Sequence, residues 1–161
     1  MIPFIFKKQL DSDRFNKYLV TANATNQFSN YGYVVRLLED RARDMLKIDD
    51  SKAIIATSSG TSALSAIIYG MMRKDEHKYR VGTQGFTFPS NAIGAAEGAI
   101  ISDMDARCNM HLDDKYIIEN SDLVIVTNIF GHLQDITEVS NKTEHRNKKL
   151  IFDNAATPYS F

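Results

Sequence analysis

The stretch DLVIVTNIF, Asp122–Phe130, runs through Leu, Val, Ile and Val with no polar residue between them. A half-exposed strand or an amphipathic helix would interleave polar side chains. So short and β-branched a run predicts a strand buried on both faces, which is the environment of a parallel sheet covered by helices. Similar short apolar segments predict further strands at Ala53–Thr57 (AIIAT), Tyr79–Gln84, Ala99–Asp105 and Leu150–Ala155. Between them lie helical patterns. Tyr33–Leu46 spaces Val34, Leu37, Leu38, Ala42, Met45 and Leu46 at helical intervals, and Ser62–Met72 reads as a helix buried on most sides. Pro89–Ala99 opens with a proline suited to a first helical turn, and Asp135–Lys149 reads as a polar helix. Strands alternating with helices predict an α/β fold of three layers, αβα, around a mostly parallel sheet.

The 161 residues suffice for one core, and no linker, repeat or low-complexity segment divides them, so residues 1–161 are expected to form part of a single domain. With 19 Lys and Arg against 20 Asp and Glu, the charge balance gives no reason to expect nucleic acid or an anionic membrane as partner. The basic stretch KTEHRNKKL, Lys142–Leu150, reads as a solvated helix face. One cysteine, Cys108, in the polar loop DARCNMHLD, excludes an intrachain disulfide framework and suits a reducing compartment. The start MIPFIFKKQLDSD does not have the order of a signal peptide, and no apolar run reaches the ~20 residues of a membrane span. The expected location is the cytoplasm. His77, His111, His132 and His145 are scattered without ligand spacing, so no metal site is expected.

Ligands of open parallel sheets bind at the carboxyl ends of the strands. Distinctive polar residues gather at those ends: Ser58–Thr61, Thr87 with Phe88, Asn128 and Asp153. Ser58–Leu64, SSGTSAL, leads from a predicted strand into a predicted helix, whose first N–H groups lack helical partners. Two readings compete. Ser and Thr are favoured as N-caps without any ligand, and the same N–H groups, with Gly60 allowing close approach, also suit a phosphate. It is not a Walker loop, since the lysine of that pattern is missing, and no G-x-G-x-x-G occurs. Phe88 is either a core aromatic or a plate for a planar ring. Asp153, at the end of an apolar strand, either starts a turn or meets a cationic partner.

Taken in order, NQFSNYGYVVRLLEDRARDML, SSGTSALSAI, GTQGFTFPSNAIGAAEGAIISDMD, VTNIFGHLQDI and LIFDNAA resemble the first half of a fold type I pyridoxal-phosphate enzyme. The nearest resemblance is to the DegT/DnrJ/EryC1/StrS family of nucleotide-sugar aminotransferases. It implies that Ser59, Gly60 and Thr61 hold the phosphate of pyridoxal 5′-phosphate, and that Phe88 stacks on the pyridine ring. It implies that Asp153 pairs with the ring nitrogen and keeps it protonated, so that the ring acts as an electron sink. The implied reaction moves an amino group from an amino acid, commonly glutamate, to a keto group on a nucleotide-linked sugar, for surface polysaccharides or similar glycans. The implied partners are those two substrates and a second copy of the chain or a complementing chain.

The departures are specific. Asn128 stands where the family usually has His, Ala156 where it often has Gln or His, and Ala99–Ile101 lacks the usual proline. The lysine that carries the cofactor in the family lies some tens of residues beyond the aspartate, and no lysine up to Phe161 stands in that context. The resemblance therefore covers the N-terminal part of the large domain. The expectation is a piece of a longer enzyme, with a split enzyme or a shortened, inactive relative as alternatives. Other functional readings are a non-catalytic module for a nucleotide-sugar or phosphate, and a keto-sugar dehydratase that uses His in place of the lysine.

Overall fold

The computed structural model describes residues 9–157. Backbone contacts group the chain into two compact units, Met1–Ala56 and Thr57–Phe161.

In the first unit, helices α1 (Ser12–Thr25) and α2 (Tyr33–Leu46) pack against each other. Asp11 caps α1 by accepting from the Arg14 N–H at 2.9 Å. Gly32 precedes α2 because a Cβ there would stand 3.0 Å from the Gln27 carbonyl oxygen. Glu39, only 6% exposed, accepts from the Tyr31 hydroxyl at 2.5 Å and the Ala56 N–H at 2.7 Å. Both hydrogen bonds favour the ionised carboxylate and hold its pKa below the usual range, the tyrosine bond contributing most.

The expected strand Ala53–Thr57 is not formed. Among the described residues it forms no ladder, and Ile55 is 75% exposed. A strand exists only by its ladder, and here the Ala56 amide is satisfied by a side chain instead.

The second unit is the predicted α/β arrangement. Helix α3 (Gly60–Asp75) is followed by β1 (Val81–Gln84), β2 (Ile100–Ser102), α4 (Lys115–Asn120), β3 (Leu123–Thr127), α5 (Ile136–Glu144) and β4 (Lys149–Asp153). All pairings are parallel, in the order β2-β1-β3-β4. Leu123, Val124, Ile125 and Val126 are fully buried, and alternate residues face opposite sides. Leu123 and Ile125 pack with Leu64, Ile68 and Tyr79 on the side of α3. Val124 and Val126 pack with Ile117 from α4 and Val139 from α5 on the other. The three layers follow from that alternation.

Two helical expectations need correction. Pro89–Ala99 forms two short 3-10 turns, Pro89–Ala92 and Gly94–Ala96, because Ile93 is extended and Gly94 takes φ +61°. α3 is buried only along Leu64 and Ile68 within this unit, while Ile67 and Tyr69 are about half exposed. α4 went unpredicted, being a single short helix capped by Asp114. The basic stretch is helical only to Glu144, and Lys142, Arg146 and Lys149 are engaged in ion pairs. Lys142 meets Asp113 at 2.8 Å and Glu138 at 2.9 Å, and Lys149 meets Asp75 at 3.0 Å. Cys108 is exposed. Among the described residues no helix is long and apolar enough to cross a membrane.

Two outcomes are expected. Ile125→Ala should lower unfolding free energy by about 2–5 kcal/mol, measured by urea denaturation, because the cavity lies in the central strand. The Tyr79 phenol donates to the Asp75 carboxylate, which pushes its pKa up from 10.0 to about 12. A raised folded pKa means this contribution to stability is complete below the ordinary phenol pKa and disappears as pH rises through about 12. Ultraviolet titration should find a tyrosine that ionises at about 12 and is absent in Tyr79→Phe, beside Tyr31, whose bond to Glu39 also raises its pKa.

Candidate functional site

The five residues singled out for the cofactor line one cleft of about 480 Å³. Ser59, Gly60 and Thr61 form one wall, Phe88 and Ser90 a second, and Ile151–Ala155, with Asp153, a third. The volume lies in the range of small-molecule sites.

The first wall is the N-terminus of α3. Ser59 is the N-cap, and its hydroxyl accepts from the Ser62 N–H at 3.1 Å. The Ala63 N–H donates to the Ser59 carbonyl at 3.0 Å. The cap thus serves Ser62 and leaves the Gly60 and Thr61 N–H groups without partners among the described residues. Two free donors at the positive end of a 16-residue helix favour an anion. A Cβ on Gly60 would meet nothing within 4 Å, so the space above the turn is open. The capping and anion-binding readings are compatible, because they use different N–H groups.

Phe88 is 68% exposed, so of its two readings the core aromatic does not hold. It sits at the end of the loop that follows β1, and its neighbours are fastened. The Thr87 and Thr127 hydroxyls are 2.8 Å apart, and the buried Asn91 amide donates to Thr127 Oγ1 at 2.7 Å and Thr87 Oγ1 at 3.0 Å. An exposed ring on a fixed backbone offers a flat face to a ligand.

Asp153 ends β4, opposite Thr127 in the parallel register. One carboxylate oxygen accepts from the Ala155 N–H at 3.1 Å, and the other has no partner among the described residues. Asp153 is half-buried, so a cationic ring nitrogen in the cleft could meet it with solvent screening only partly reduced.

Asn128, also expected among the strand-end residues, does not line the cleft. It is fully buried behind it, donating to Asn154 Oδ1 at 2.6 Å and accepting from the Gln134 N–H at 2.9 Å. Sequence reasoning gave no role to Ser90, Asn91 or Asn154. The signal available was position: Asn154 follows Asp153 directly, and Asn91 stands three residues after Phe88. Among the described residues no group of three His, Cys, Asp or Glu could hold a metal ion. A second cleft, of about 310 Å³ beside His111, His132 and Lys142, contains none of the five.

The chain matches the family described as aminotransferase class-V over residues 14–160. It therefore belongs to that family, whose cofactor is pyridoxal 5′-phosphate. Its fold is shared with solved structures of low sequence identity. 3-Amino-5-hydroxybenzoic acid synthase is 19% identical at a TM-score of 0.75, with 96% of this chain and 40% of that chain covered. A DegT DnrJ EryC1 StrS aminotransferase from Brucella abortus is 21% identical at 0.69, with 89% and 40% covered. GDP-4-keto-6-deoxymannose-3-dehydratase with a trapped PLP-glutamate geminal diamine is 15% identical at 0.69, with 96% and 41% covered. The chain spans about 40% of the length of these structures.

The residues of the cleft fit the cofactor: open amide donors for a phosphate, an exposed aromatic face for a ring and a carboxylate for a ring nitrogen. Phe88→Ala should therefore weaken binding of pyridoxamine 5′-phosphate severalfold while changing stability by less than about 0.5 kcal/mol. Calorimetric titration beside thermal unfolding checks both halves.

Proposed function

We propose that this chain forms the cofactor-holding part of a pyridoxal-phosphate-dependent sugar aminotransferase. The observation that carries the reading is the single cleft that joins Gly60 and Thr61, Phe88 and Asp153. In it the Gly60 and Thr61 amides, with the Thr61 hydroxyl and Ser59 nearby, bind the phosphate. Phe88 fixes the plane of the ring. Asp153 holds a proton on the ring nitrogen, because an anion beside that nitrogen favours its charged form. The bound cofactor supplies an electron sink and carries the amino group between donor and acceptor.

The donor in this proposal is glutamate, and the acceptor is a keto-sugar linked to a nucleotide. Support comes from the similar dehydratase, whose structure contains glutamate attached to the cofactor and whose own substrate is a GDP-keto-sugar. The proposal places the reaction in the cytoplasm, with the cofactor-bearing lysine supplied by a longer polypeptide or a complementing chain, and with a homodimer as the working unit. That same neighbour also favours a second reading, in which the site removes a hydroxyl from the keto-sugar instead of aminating it.

The test is a reaction with the polypeptide that supplies the lysine, in cis or in trans, given the cofactor, glutamate and a nucleotide 4-keto-sugar. An amino-sugar nucleotide with one 2-oxoglutarate per turnover, measured by mass spectrometry, is the expected product. Asp153→Ala should reduce the rate by at least about 100-fold, since ring protonation acts on the chemical step. A deoxy-keto-sugar with release of ammonia would select the dehydratase reading. Full activity in Asp153→Ala, or ligand binding without either product, would contradict the aminotransferase assignment.

A further inference from the structure

Asn128 is fully buried and does not itself line the cleft, yet its backbone N–H and its side-chain NH₂ are directed to Asp153 and Asn154, which do. Its N–H donates to the Asp153 carbonyl at 3.0 Å, which continues the β3–β4 ladder one residue past the register pair Thr127–Asp153. Its side-chain NH₂ donates to Asn154 Oδ1 at 2.6 Å, and its side-chain oxygen accepts from the Gln134 N–H at 2.9 Å. Gln134 is itself 3% exposed and bonded to Gln84 Oε1 at 3.2 Å, to the Thr127 carbonyl at 3.1 Å and to the Met110 N–H at 2.9 Å. The turn that carries Asp153 is thus gripped on its backbone and, one residue later, on its side chain. The anchor behind the grip is shared by β1 and β3.

We propose that Asn128, acting through Asn154, is a positioning residue for the Asp153 carboxylate. The inference rests on the reading of Asp153 as the partner of a cofactor ring nitrogen. The carboxylate bends back to the Ala155 N–H, so its direction is set by the path of residues 153–155. A side chain that only packed there would leave that path free to rotate about the last ladder bond. An amide supplies one donor and one acceptor together and keeps both at every physiological pH, unlike an imidazole. Losing the Asn154 acceptor would also strand a buried donor, which forces the turn to move rather than tolerate the loss.

Asn154→Ala removes the acceptor and leaves the Asn128 bonds to Gln134 and to the Asp153 carbonyl in place. Asn154→Asp returns an acceptor oxygen. Each full chain is loaded with pyridoxamine 5′-phosphate labelled with nitrogen-15 in the ring, and the ring nitrogen is titrated by NMR. In the native chain Asp153 is expected to keep that nitrogen protonated well above its value in free solution. In Asn154→Ala the apparent pKa should fall by about one unit, as a misplaced counter-charge requires, and it should rise again in Asn154→Asp. A purely structural bond would lower Tm in Asn154→Ala while the titration stayed native, and that result overturns the proposal. Absence of binding by the native chain, or a native titration in Asp153→Asn, overturns the cofactor reading and the clamp with it.

Discussion

Thr127 ends the central strand, and all of its polar groups are engaged at the point where the sheet order reverses. Its N–H donates to Gln84 Oε1 at 3.1 Å, its carbonyl accepts from Gln134 at 3.1 Å, and its hydroxyl meets both Thr87 and Asn91. The strand order β2-β1-β3-β4 sends the chain to opposite sides of β1, which opens a crevice at the carboxyl ends of β1 and β3. Polar groups buried at such a point are costly unless every one is paired, and paired they rigidify what they join. Here they join the loop of Phe88 to the strand end opposite Asp153. The loop that carries Phe88 is therefore fastened to the sheet at the strand end that pairs with Asp153.

Much of this fold was legible because burial on two faces leaves a simple signature. The Leu123–Val126 run identified the central strand, and the helical spacing of Tyr33–Leu46 matched α2 at both ends. Ala53–Thr57 has the same composition as a strand, but a strand depends on partners that composition does not encode. Pro89–Ala99 misled in the other direction. Its proline marked a real helical start, while Gly94 ended it after one turn by taking a conformation that only glycine adopts easily. α4 is too short for periodicity to register.

The candidate site was legible only as a set. Ser59 is both the N-cap that propensity suggests and the neighbour of two open amides, so neither reading of SSGT had to displace the other. Phe88 could not be assigned from its residue type, because exposure is decided by the fastened loop around it. Asn128 was visible as a departure from a family pattern, but its burial behind the cleft and its hold on Asn154 required coordinates. Long-range polar pairing is the part of the site that local sequence carries least, since Gln84, Thr127 and Gln134 have no shared spacing to reveal it.

The central claim is that the N-terminus of α3 receives the phosphate of the cofactor. Amide NMR of the full chain titrated with pyridoxamine 5′-phosphate, and separately with pyridoxamine lacking the phosphate, tests it residue by residue. Large, saturable shifts of the Gly60 and Thr61 amides are expected with the phosphorylated ligand, and none there with the other. Shifts confined to the cleft of His111 and His132, or equal responses to the two ligands at Gly60 and Thr61, would contradict it.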